Sequence, residues 1–169
     1  MNNNIRLNTN NTYHLHNILY SWLYDINPQF FLSIQLPKYL RSTDLLKSNK
    51  NLKKIMLKFE QLSLKRHWNK KHIPFIAFAE HGKSKTWHYH IYIYNCPFNF
   101  LKIQSIINDV SKELNLPHEV LDIEPILTTG VYPYTSKEFK SDINYHIDSD
   151  RIITSEFLFN ISPKSQKHT

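Results

Sequence analysis

Apolar positions along this chain change period several times, and each change marks an element. From Thr12 onward, Leu15, Ile18, Leu19, Trp22, Leu23 and Ile26 recur at spacings of three and four, which predicts a short amphipathic helix ending near Asn27-Pro28. The run Phe30-Phe31-Leu32-Ser33-Ile34-Gln35-Leu36 reads as a strand closed by Pro37. A long helix is predicted from about Thr43 to His67, because Leu45, Leu52, Ile55, Met56, Phe59 and Leu62 share one face. Its other face is basic, with Lys47, Lys50, Lys54, Lys58 and Lys65. Pro74 restarts the chain into Phe75 to Ala79, the first arm of a hairpin whose second arm is Trp87 to Tyr94. Phe100, Leu101, Ile103, Ile107, Val110 and Leu114 then give another amphipathic helix, stopped before Pro117. Val120 to Glu124 alternates apolar and acidic, as a half-buried strand does. Beyond a loop at Gly130 and Pro133, the pattern predicts a helix from about Thr135 to His146 and a last strand from Arg151 to Phe159. Helices segregated against a mostly antiparallel sheet make this an α+β fold.

Composition narrows the partners. A chain of 169 residues, 41% hydrophobic, suits one compact core. The formal charge of +7 favours an acidic polymer, and the 14% aromatic content supplies faces on which unpaired bases can stack; a basic surface that only aids solubility is the ordinary alternative. Cys96 is the only cysteine, which excludes an intramolecular disulfide and a thiolate zinc cluster. Gly82 and Gly130 are the only glycines, too few for a glycine-rich dinucleotide loop. The start, Met1 to Arg6, lacks the apolar run of a secretory signal, and no stretch approaches the roughly 20 apolar residues that span a bilayer. A soluble, cytoplasmic protein without membrane contact is expected.

The chemistry gathers at His88-Tyr89-His90 within the predicted second arm. Side chains alternate across a strand, so both imidazoles leave the same face and can converge on one ion. Glu80 stands just before the turn-like segment His81 to Thr86, and a hairpin returns it towards the histidines. Two neutral imidazoles and one carboxylate, with positions left open, suit a divalent cation such as Mg²⁺ or Mn²⁺ acting as a Lewis acid. His14-Leu15-His16 repeats the spacing on a predicted helix, where residues two apart point about 200° around the axis and do not face each other. Gly82-Lys83-Ser84 looks like the end of a phosphate loop, but Ala77 stands where that loop requires glycine.

A second candidate is Tyr134-Thr135-Ser136-Lys137-Glu138. Tyr134 and Lys137, three apart near a helix start, share a face, so the ammonium can assist a phenol that is a poor nucleophile at neutral pH. Packing is the competing role for Tyr134, since the chain has ten tyrosines and Tyr132 and Tyr145 lie nearby. The cluster Lys65-Arg66-His67-Trp68-Asn69-Lys70-Lys71-His72 closes the long helix, where cations are favourable in themselves; with Trp68 it also suits a grip on single-stranded DNA. His146 and Asp148 are close in sequence, but nothing ties them to either motif.

Taken in order, the strand Phe30 to Pro37, Glu80 through His88-Tyr89-His90, and Tyr134 to Glu138 resemble the three motifs of HUH endonucleases, specifically single-tyrosine rolling-circle replication initiators (Rep nickases). The resemblance spans roughly residues 30 to 160. It implies a central antiparallel five-stranded sheet flanked by helices, related to the ferredoxin-like arrangement. It also implies a domain over residues 28–162, with residues 1–27 as an N-terminal extension and 163–169 as a tail. Carried over, Glu80, His88 and His90 hold the divalent ion, Tyr134 attacks the scissile phosphate, and Lys137 positions or stabilises the charge. The implied partners are single-stranded DNA, at an origin hairpin, and a separate helicase. Tyr89 stands between the histidines where the family commonly has an aliphatic residue. A tyrosine transposase of the same chemistry is one alternative. The other is a non-catalytic single-strand nucleic-acid binder that uses Trp87, Tyr89, Ile91 and Ile93 as a stacking platform.

Overall fold

The structure is a computed structural model that describes residues 10–81, 85–128 and 151–159. Five strands, β1 (Phe30–Ile34), β2 (Phe75–His81), β3 (Trp87–Ile93), β4 (Leu121–Pro125) and β5 (Ile152–Thr154), form one sheet in the order β4-β1-β3-β2-β5. Every pairing in it is antiparallel. Helices α1 (Asn10–Ile26), α2 (Leu45–Leu64), α3 (Phe100–Glu113) and the short α4 (Ser155–Phe159) flank the sheet, so the fold is α+β as expected.

Alternation along β1 decides the two faces. Phe30, Leu32 and Ile34 point into the main core, where they join Phe75, Ala77, Tyr89, Ile91 and Ile93 of the neighbouring strands. Against them pack Leu52, Ile55, Met56 and Phe59 of α2 and Ile103, Ile107 and Val110 of α3. Phe59 is fully buried there, and Phe59→Ala is expected to cost about 3–5 kcal/mol of stability, read by urea unfolding. The opposite face is shared. Over part of it Leu19 and Leu23 of α1 meet Ile76, Phe78 and Tyr92, forming a second, smaller core. The N-terminal helix thus covers part of the sheet and leaves the β4 side and the start of β3 open. Coverage on both faces is why β2 reads as an unbroken apolar run.

Local signals fix the helix ends. The Asp44 carboxylate accepts the backbone N–H groups of Leu46 (2.8 Å) and Lys47 (3.3 Å), so α2 starts at Leu45, two residues after the predicted Thr43. Asn99 caps α3 by accepting from the Lys102 N–H at 2.9 Å. Lys65 adopts φ 48° at the end of α2, and the chain continues as one 3₁₀ turn, Lys65–His67.

Glu60, fully buried on α2, ties the end of that helix to the start of β2. It accepts from the Ile73 backbone N–H at 3.0 Å and pairs with His72 Nδ1 at 2.9 Å. Burial pushes its carboxyl above the ordinary 4.5, although the His72 and Ile73 hydrogen bonds oppose the shift. A raised folded pKa means that the native state holds this proton more tightly than the unfolded chain. The resulting stability is full below 4.5 and is lost as pH rises through the raised value. The melting temperature of Glu60→Gln, relative to wild type, is therefore expected to climb as pH rises above 4.5.

The last predicted strand is half wrong. Only Ile152–Thr154 pairs with β2, and Ser155–Phe159 turns into helix because the Thr154 hydroxyl accepts the Phe157 N–H at 3.3 Å. The predicted helix from Thr135 to His146 lies outside the described residues.

Candidate metal centre

The hairpin register brings the second motif together. Glu80 on β2 is the direct cross-strand partner of His88 on β3, and His90 lies two residues on, on the same face. One carboxylate oxygen, Glu80 Oε2, stands 2.6 Å from His90 Nε2 and 3.2 Å from His88 Nε2. The two imidazoles are perpendicular, at 88°, with ring centroids 5.3 Å apart. One ligand atom from each of the three residues lies within 4.8 Å of the others. Two imidazole nitrogens and a carboxylate oxygen converging in this way form a group able to hold a divalent ion. Side-chain exposures of 21% for His88 and 14% for Glu80 leave the group reachable from solvent.

Around it opens a cleft of about 600 Å³ lined by Phe31, Ser33, Gln35, Glu119, Asp122 and Glu124 besides the three ligating candidates. Sheet order explains this lining. β1 lies between β3 and β4, with Ser33 opposite both His90 and Asp122, and Phe31 opposite Glu124. Four carboxylates, those of Glu80, Glu119, Asp122 and Glu124, and no lysine or arginine line the cleft among the described residues. A polyanion meets repulsion there until a cation is present. Glu80→Gln, which keeps the shape and removes a charge, is expected to weaken Mn²⁺ binding at least tenfold in a titration of free Mn²⁺.

Some sequence expectations change. Tyr89, Ile91 and Ile93 are fully buried beneath α2 and α3, so this face of β3 is core, and the proposed stacking platform does not exist. The Tyr89 phenol donates to Asn49 Oδ1 at 2.8 Å, and burial pushes its pKa upward, away from any nucleophilic role. The basic cluster is exposed from Lys65 to Lys71, but it precedes β2 while Glu80 lies near that strand's far end, roughly 17 Å along. The structure does not bring it to the cleft. His14 and His16 lie on α1, as the spacing rule requires. Tyr134 and Lys137 lie outside the described residues.

Sequence reasoning missed Ser33, Phe31, Asp122 and Glu124. Their alternation was visible, but only the pairing of β1 with both β3 and β4 puts them beside the histidines.

The protein is thus an antiparallel α+β domain with a candidate divalent-metal centre in an acidic cleft on one sheet face. The family model of the ORF2-type replication-associated proteins matches residues 29–143, and the chain belongs to this family. No curated protein and no solved structure matches the chain. Among the described residues, no helix is long and apolar enough to cross a membrane.

Proposed function

We propose that this replication-associated protein is a metal-dependent single-strand DNA nickase and strand transferase of the HUH type, initiating rolling-circle replication. The observation that carries the reading is the convergence of Glu80, His88 and His90 on one point of an open cleft. The donor set fits Mg²⁺ or Mn²⁺, and the surrounding carboxylates make the cleft more favourable to a cation than to a free phosphate. When bound, the ion supplies Lewis-acid polarisation of the scissile phosphate.

The chain's own residues supply the rest. Glu80 and His90 lie deeper than His88, so the cleft mouth is on the His88 side, from which a flexible single strand can approach. Tyr134 is the nucleophile. Its phenolic oxygen forms a bond to phosphorus as the bond from phosphorus to the 3′ oxygen breaks. The products are a 5′-phosphotyrosine link and a 3′-hydroxyl, which takes up a proton. The Lys137 ammonium lowers the cost of forming the phenolate and of the charge that develops on the phosphate. The phosphodiester energy is retained in the link, so rejoining to another 3′-hydroxyl requires no nucleotide cofactor. Single-stranded DNA at an origin is the substrate, and a separate helicase is the implied partner.

The test incubates the full chain with a pool of single-stranded oligonucleotides and Mn²⁺ and resolves the products by denaturing electrophoresis. The expected result is a protein–DNA adduct and a shortened oligonucleotide, both lost when EDTA removes the metal. Cleavage that persists in EDTA, without an adduct, contradicts the proposal.

A further inference from the structure

We infer that Ser33 is a positioning residue of the metal centre: its hydroxyl holds His90 Nδ1 and so presents Nε2 to the divalent ion. The inference rests on the metal-centre reading above and adds a residue that the sequence motifs leave unassigned. Ser33 is the cross-strand partner of His90 between β1 and β3. Its Oγ lies 3.3 Å from His90 Nδ1, while Nε2 on the other side of the ring lies 2.6 Å from Glu80 Oε2. The imidazole is therefore gripped at both nitrogens. Phe31, two residues earlier on the same face of β1, lies nearly parallel to the imidazole, 13° between planes and 5.4 Å between centroids. Phe31 also leans on Tyr92 at 5.2 Å, and Tyr92 belongs to the packed core under α1. A single strand thus sets the ring's plane through Phe31 and its rotation within that plane through Ser33.

A hydroxyl suits this position because it both donates and accepts. Without an ion, a neutral His90 carries its proton on Nε2, directed at the Glu80 carboxylate, and Nδ1 accepts the Ser33 O–H. With an ion on Nε2, the proton sits on Nδ1 and Ser33 Oγ accepts it, so the imidazole changes tautomer without changing charge or turning. A backbone carbonyl or a carboxylate accepts only, and satisfies just the second state. His90 is nearly buried, so a ring nitrogen deprived of this partner has little water to replace it.

The test titrates Mn²⁺ into the full chain, with free Mn²⁺ read by electron paramagnetic resonance, for wild type, Ser33→Ala and Ser33→Thr. Ring ¹⁵N shifts of His90 are read in Mg²⁺-loaded wild type. The expected result is a roughly 10- to 100-fold weaker Kd in Ser33→Ala and recovery of most of the affinity in Ser33→Thr, which restores a hydroxyl. In the wild-type spectrum Nδ1 is expected to carry the proton. Equal affinity in a folded Ser33→Ala, or an unprotonated Nδ1 in loaded wild type, overturns the role of Ser33 while leaving the metal centre standing. Absence of saturable Mn²⁺ binding by wild type overturns the metal centre and this inference together. Should Ser33→Ala not fold, the wild-type spectrum and the Ser33→Thr affinity still decide.

Discussion

Tyr134→Phe is expected to form no DNA adduct and to lose strand cleavage by on the order of a thousandfold or more, while still binding single-stranded DNA. The change removes one oxygen and keeps the ring. Nucleophilic catalysis requires that oxygen, because the bond to phosphorus forms on it, and no neighbouring atom of phenylalanine can replace it. Binding rests on groups the substitution leaves alone, so a filter-binding or anisotropy titration is expected to move little. The split between intact binding and absent chemistry is what separates a nucleophile from a packing tyrosine. If the adduct persists in Tyr134→Phe, Tyr132 or Tyr145 is the attacking residue.

The second large effect belongs to His90→Ala. His90 contributes the nitrogen closest to Glu80 Oε2, at 2.6 Å, so its loss removes one of three converging ligand atoms and leaves the carboxylate with a weaker set. A Lewis acid contributes several kcal/mol to phosphoryl transfer, which corresponds to on the order of a thousandfold in rate. His90→Ala is therefore expected to abolish saturable Mn²⁺ binding and to reduce cleavage by about that factor, with the fold checked by circular dichroism. His67→Ala serves as the control, because His67 is exposed beyond the far end of β2 and is expected to change neither quantity.

Much of this architecture was legible in the chain. Period-two alternation located β1, β3 and β4, and the spacing of Leu52, Ile55, Met56 and Phe59 located α2 and its buried face. The Glu80 and His88-x-His90 pattern was legible for a simple reason: a hairpin of two arms has one natural pairing, and it sets Glu80 against His88. What failed needed either a cap or a long-range partner. Thr154-Ser155-Glu156 carries a helix start that the apolar run to Phe159 concealed. The stacking-platform idea put the wrong face of β3 outward, although the histidines alternating with Tyr89, Ile91 and Ile93 already marked the polar side. Asp122, Glu124 and Ser33 became part of the cleft only through the order β4-β1-β3, which joins segments about ninety residues apart, from β1 at Phe30–Ile34 to β4 at Leu121–Pro125. The N-terminal helix acquired its place in the same way, through contacts of Leu19 and Leu23 with Phe78 and Tyr92.

Mapping the adduct tests the central claim most directly. Wild-type protein is reacted with the oligonucleotide pool and Mn²⁺, digested with nuclease and protease, and the modified peptide is identified by mass spectrometry. A nucleotide phosphate on Tyr134, absent from the EDTA-treated sample, is the predicted result. A phosphate on any other residue, or cleaved DNA with no modified peptide, would contradict the assignment of Tyr134 as the metal-dependent nucleophile.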